Sequence, residues 1–173
     1  MPHHSDLAWT PADKLAELAA RDDPWKYYLD TVVRFYDGPL VGTVEPLTEG
    51  PGGEHPPAGP LHVITAIQPE TDPSSPKPTR GDILARMAVL DQELRAKGLH
   101  AIRAEGASRN GHHSEESRAV FGLTDQEARQ LGLRFGQVAI FAWNGPRWSL
   151  LACAHDRATH QAWRWAPASP APA

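Results

Sequence analysis

Apolar positions recur along this chain with two periods, and the places where the period changes divide it into elements. After Thr10 and Pro11, a capping residue and a proline suited to a first helical turn, Leu15, Leu18 and Ala19 fall at helical spacing. A second short helical turn starts at Asp23-Pro24, with Trp25, Tyr28 and Leu29 as its apolar residues. The β-branched and aromatic run Thr31, Val32, Val33, Phe35 and Tyr36 predicts a strand. Asp37-Gly38-Pro39 predicts a turn, and residues 40–44 a returning strand. Residues 49–60, EGPGGEHPPAGP, are too rich in Gly and Pro for regular structure and predict a mobile loop. Residues 61–67, LHVITAI, are nearly all apolar, as expected of a central strand.

A second Pro-rich loop over residues 70–78 leads to a helix over 80–97, capped by Thr79. Its stripe of Ile83, Met87, Leu90 and Leu94 is apolar, and Gly98 stops it. Residues 99–105 predict a strand, Asn110-Gly111 a tight turn, and residues 115–121 the next strand. Thr124 and Glu127 form a capping box for a helix that Gly136 ends. Strands over 137–143 and 147–153 flank the hairpin dipeptide Asn144-Gly145, and residues 159–165 suggest an edge strand. From residue 61 the order opens with the split βαββαβ arrangement. The expected fold is therefore an α+β two-layer sandwich. It would have a mostly antiparallel sheet with two helices on one face, extended by the N-terminal strand pair and the C-terminal hairpin. Residues 1–29 would form a helical segment, 30–165 one domain and 166–173 a disordered Pro/Ala tail.

Composition narrows the function classes. Hydrophobic content of 40% and charged content of 22% suit an ordinary globular chain. The net charge of −4 disfavours direct nucleic-acid binding, which needs clustered Lys and Arg. One cysteine, Cys153, excludes an intramolecular disulfide and reads as a small buried strand residue. No apolar stretch approaches the ~20 residues of a membrane helix, and the N-terminus lacks a basic region followed by an apolar run. A cytoplasmic protein is expected.

The densest polar cluster is His112, His113, Glu115, Glu116 and Ser117. The two-residue strand period puts Glu115 and Ser117 on one face with Ala119 and Phe121. A carboxylate at the mouth of an apolar face has a raised pKa, which suits a general acid or base near neutrality. Glu115 is thus the candidate catalytic group, with His62 as a possible helper. Thr65, Gln68, Ser117 and Gln137 are candidate ligand contacts. Pairing of Glu115 with Arg103 or Arg118 is the structural alternative. Neighbouring histidines on a strand point to opposite faces, and His155 and His160 lack helical metal-site spacing, so no metal is expected. There is no glycine loop for a nucleotide, no nucleophile elbow and no CxxC, so no cofactor is expected. Of six tryptophans, four lie in the C-terminal strands. Trp143 and Trp148 are read as a partner surface, with packing of the sheet as the alternative.

With LHVITAIQP at 61–69 and EESRAVFGLTDQEARQLGLRFGQVAIF at 115–141, the chain resembles the bacterial domain-of-unknown-function family 3293 over roughly residues 61–143. The residues that carry the likeness are His62, Thr65, Pro69, Glu115, Ser117, Gly122, Phe135, Gly136, Gln137 and Phe141. Gln68 stands where an Asn is expected, Glu116 replaces a Pro, and the helix over 80–97 lacks the family's Asn residues. The resemblance implies no established activity. The leading expectation is a domain that binds an unknown protein partner or a small ligand in a regulatory or accessory role. The alternatives are a small hydrolase or transferase using Glu115 as general acid/base, and a component of a nucleic-acid-associated complex. Whether the chain is an enzyme stays open at this point.

Overall fold

A computed structural model describes residues 2–37, 40–48, 50, 52–71 and 74–168. Among these, helices α1 (Ala12–Ala20) and α2 (Asp22–Leu29) precede the hairpin β1 (Val32–Asp37) and β2 (Leu40–Leu47). Then come β3 (Leu61–Ile64), α3 (Arg80–Ala96), β4 (Ala101–Ala107), β5 (Ser114–Phe121), α4 (Asp125–Arg134), β6 (Ala139–Trp143), β7 (Trp148–Ala152) and β8 (Ala158–Pro167). The predicted turn at Gly38-Pro39 and the last tail residues, 169–173, lie outside the described residues. β8 runs to Pro167, and the Ala168 N–H donates to the Val41 carbonyl (3.3 Å), so the tail's first residues belong to the ladder or border it.

Local chemistry sets the helix starts. The Asp82 N–H donates to Thr79 Oγ1 at the start of α3. Thr124 and Glu127 satisfy each other's backbone N–H groups at the start of α4 (3.1 and 3.0 Å). The expected cap on α1 is different. Pro11 holds the cap position, and Thr10 instead donates its N–H and hydroxyl to Gln68 Oε1 (2.8 and 2.9 Å).

The sheet is not the open layer that the element order suggests. β3 pairs with β5 and β6, and β4 pairs with β5, giving the order β6-β3-β5-β4. The β1–β2 hairpin adds to β4, and the β7–β8 hairpin adds to β6. The two additions then meet: β2 pairs with β8 from Gly42↔Pro167 to Leu47↔Ala162. The result is a closed antiparallel barrel of eight strands among the described residues, not a two-layer α+β sandwich. β8 is accordingly no edge strand.

Burial on both faces of the sheet explains the closure. Outside, Ile64, Val120 and Ile140 pack under Met87 and Leu90 of α3 and Leu131 of α4, with Phe135 beside them. The other face carries Val33, Phe35, Leu61, Trp148, Trp163 and Trp165, and no second layer covers it. Curling the sheet on itself buries that face and removes both edges at once. A third cluster joins Leu15, Leu18 and Trp25 of the N-terminal helices to Val138, Leu150 and Ala152. Trp25 Nε1 fixes the contact by donating to Thr159 Oγ1 (2.9 Å). No described helix is long and apolar enough to cross a membrane.

A cavity in the mouth of the barrel

Strand alternation decides what the barrel interior contains. Along β3 and just beyond it, Leu61, Val63 and Thr65 point inward while His62 and Ile64 point outward. Along β5, Glu115, Ser117 and Ala119 point inward and Glu116, Arg118 and Val120 outward. Large rings fill one end of the interior. The other end, where β5 and β6 begin, holds a cavity of about 190 Å³. Its walls are Val63, Phe141 and Leu150 below, Glu115, Ser117, Thr65 and Gln137 at the polar level, and Tyr27, Tyr28 and Thr31 from the helical segment across the mouth. Phe141 forms the floor and stacks on Trp148 beneath it, with centroids 5.4 Å apart. The tip of the β4–β5 turn contributes Ser108 and His113, and the His113 ring stands edge-on to Tyr27.

The polar groups differ in what they leave free. Ser117 Oγ donates to the Glu115 carbonyl (3.2 Å), and Thr65 Oγ1 donates to the Glu116 carbonyl (2.7 Å) and accepts from the Ile67 N–H. Gln137 Nε2 donates to the carbonyls of Ile67 (2.9 Å) and Phe135 (3.0 Å), which uses both amide hydrogens. Gln137 Oε1 and the Glu115 carboxylate have no protein partner among the described residues. Glu115 lines the cavity and keeps solvent contact at its mouth. The protein crowding around it removes bulk water and pushes its pKa up to about 7. Burial first, and then the Glu115 charge, raise the phenols of Tyr27 and Tyr28 above their ordinary value.

Thr65, Glu115, Ser117 and Gln137 are thus brought to one cavity. His62 is not. It lies on the outer face of the barrel, 3% exposed, with Nε2 2.7 Å from Asp125 Oδ1 at the start of α4. Its Nδ1 is buried without a partner. Gln68 is also away from the cavity, holding Thr10 and the Ala66 and Phe135 carbonyls. Trp148 is 1% exposed and sits inside the barrel, and Trp143 packs edge-on against Trp163. Neither ring forms an open surface. Glu116 faces outward and pairs with Arg118, which grips Asp91 of α3 through two further bonds. No group of three potential metal ligands occurs among the described residues. Pattern reading did not single out Tyr27 and took Tyr28 only as an apolar helical residue; docking of the N-terminal helices on the barrel brings both to the mouth. Only their pairing on a short helix hinted at more than packing.

Residues 64–140 match DUF3293, a family of proteins of unknown function. The match covers Thr65, just after β3, the strand that carries Glu115 and Ser117, and Gln137. No curated protein and no solved structure matches the chain.

Proposed function

We propose that this protein is a small-ligand-binding barrel with a regulatory or accessory role, which takes its ligand into the mouth cavity. The observation that carries the reading is the mixed lining: an apolar floor of Val63, Phe141 and Leu150 under an unpartnered Glu115 carboxylate. Ligand sites combine an apolar body with a few placed polar groups in this way. At about 190 Å³ the space is below the ~300–1,000 Å³ of drug-sized pockets, so the ligand is small. A partly buried free thiol and no disulfide are consistent with a cytoplasmic location.

A fragment screen by ligand-observed NMR tests the site. Ala139 lines the cavity, and Ala139→Phe fills it. Hits that bind the wild type should be lost in that variant. Hits that persist would place binding elsewhere and overturn the reading.

The pKa of about 7 at Glu115 favours a second reading, in which the carboxyl acts as general acid/base on a bound substrate with Tyr28 beside it. Conversion of a cavity ligand by wild type and not by Glu115→Gln would support it.

A further inference from the structure

Resting on the small-ligand reading, we infer that the cavity selects a small organic cation, a primary ammonium or a related N–H-rich group, held by Glu115 and Gln137 with its alkyl part on Phe141 and Leu150. The warrant is a count of donors and acceptors. The hydrogens of Ser117, Thr65 and the Gln137 amide are all spent on backbone carbonyls. What the polar level still offers a ligand is therefore acceptors: the Glu115 carboxylate, Gln137 Oε1 and the oxygen lone pairs of Ser117. Gln137 is 6% exposed and cannot turn its amide over without breaking two bonds to buried carbonyls.

Charge points the same way. No Lys or Arg lines the cavity among the described residues, and Glu115 is the one carboxylate in its wall. An anionic ligand would meet that carboxylate with no cation to offset it, a costly arrangement inside a protein. A neutral acceptor, such as a ketone or ester, would find hydrogen-bond donors at the rim, in the hydroxyls of Tyr27, Tyr28 and Ser114 and the His113 ring, and at the Glu115 carboxyl only below about pH 7, where it keeps its proton. An ammonium supplies three donors and one positive charge, and it matches the free groups. Tyr27 and Tyr28 line the mouth through which the cation enters.

Proton linkage follows. In the empty cavity Glu115 holds its proton up to about pH 7, so an incoming ammonium must displace it. Alkylamines stay charged well above that pH, since their pKa resembles that of lysine at ~10.4. Affinity should therefore rise as pH increases through about 7 and then level off. Binding below that point should release a proton.

The test is calorimetric titration of the full chain with butylamine, butanol and butyrate, which share a carbon skeleton and differ in head group. Butylamine should bind more tightly than the other two above pH about 7. In Glu115→Gln its affinity should fall by ~10-fold to ~100-fold, the loss of one charge-assisted bond, while butanol changes little. Heats measured in buffers of different ionisation enthalpy should show proton release below pH about 7. If all three bind alike and all are lost in Ala139→Phe, the cavity reading stands and cation selectivity is overturned. If butyrate binds best, or Glu115→Gln leaves butylamine unchanged, the assignment is likewise overturned. If none of the three binds the wild type, both readings fall.

Discussion

The side-chain oxygen of Gln68 occupies the space that a β-carbon on Gly136 would need. Gly136 closes α4 with a φ of +68°, a conformation that side chains other than glycine resist. Gln68 uses the gap to reach the Phe135 carbonyl (2.9 Å) while accepting from Thr10. One missing methyl group thus lets the strand exit, the helix end and the N-terminal segment share a single amide.

Gly136→Ala should therefore cost roughly 2–5 kcal/mol, the sum of left-handed strain and overpacking. Urea unfolding measures that loss. Amide exchange should also speed up at Thr10, whose N–H would lose its acceptor. A variant with wild-type protection at Thr10 would show that Gln68 can move aside freely.

A second close approach lies in the middle of α4. A β-carbon on Gly132 would overlap Cys153 Sγ and press on Ile140. Glycine to alanine inside a helix ordinarily gains about 1 kcal/mol. Here the overpacking penalty of ~1–3 kcal/mol should outweigh it, so Gly132→Ala should be less stable than wild type. Adding Cys153→Ala removes the overlapping sulfur and should restore part of the loss. A double-mutant cycle on denaturation midpoints reads the coupling. An additive pair would mean that the helix shifts outward instead.

Glu115 gives a stability effect whose sign is unusual for a carboxylate. Its folded pKa of about 7 is above the ordinary 4.5, so the folded protein holds a proton that the unfolded chain releases between those values. Stability attributable to this group therefore falls as pH rises from about 4.5 to about 7 and stays at its lower level above that. Glu115→Gln carries no such cost. The variant should melt at a higher temperature than wild type above pH about 7, and the gap should close as pH approaches about 4.5. A gap that grew towards acid pH would contradict the desolvation of Glu115 by the surrounding protein.

Trp148 supports the cavity from below through Phe141. Trp148→Ala should cost ~3–5 kcal/mol, as for other buried aromatic truncations, and let Phe141 drop into the vacated space. A thermal melt checks the stability. A loss under ~1 kcal/mol would mean that Trp148 is less tightly packed than its 1% exposure indicates.

Several of these features were legible in the chain because they follow from local rules. The two-residue period set Glu115 and Ser117 on one face, and Thr124 with Glu127 announced the start of α4. Trp163 and Trp165 share a face for the same reason. Closure of the barrel was not legible, because it depends on Gly42 to Leu47 meeting Ala162 to Pro167, and no local pattern encodes that meeting. The same holds for Tyr27 and Tyr28, whose place over the cavity depends on Leu15, Leu18 and Trp25 docking on Val138 and Leu150. His62 looked like chemistry because a polar residue broke an apolar strand. Its actual partner, Asp125, belongs to a helix that covers the outer face.

The β2–β8 seam has a kinetic consequence. It joins segments about 120 residues apart, so their pairing carries a large loop-closure cost and depends on the other strands being aligned first. The mouth cavity takes its lining from β3 to β7, their flanking residues and the helical segment, and none of it from β2 or β8, so the seam supports the site only through the strands on either side. A molecule that fits it binds the folded chain and not the unfolded one. Its binding free energy adds wholly to the folded side of the equilibrium. Slow spontaneous refolding, to a product that a bound ligand stabilises, is the behaviour this topology dictates.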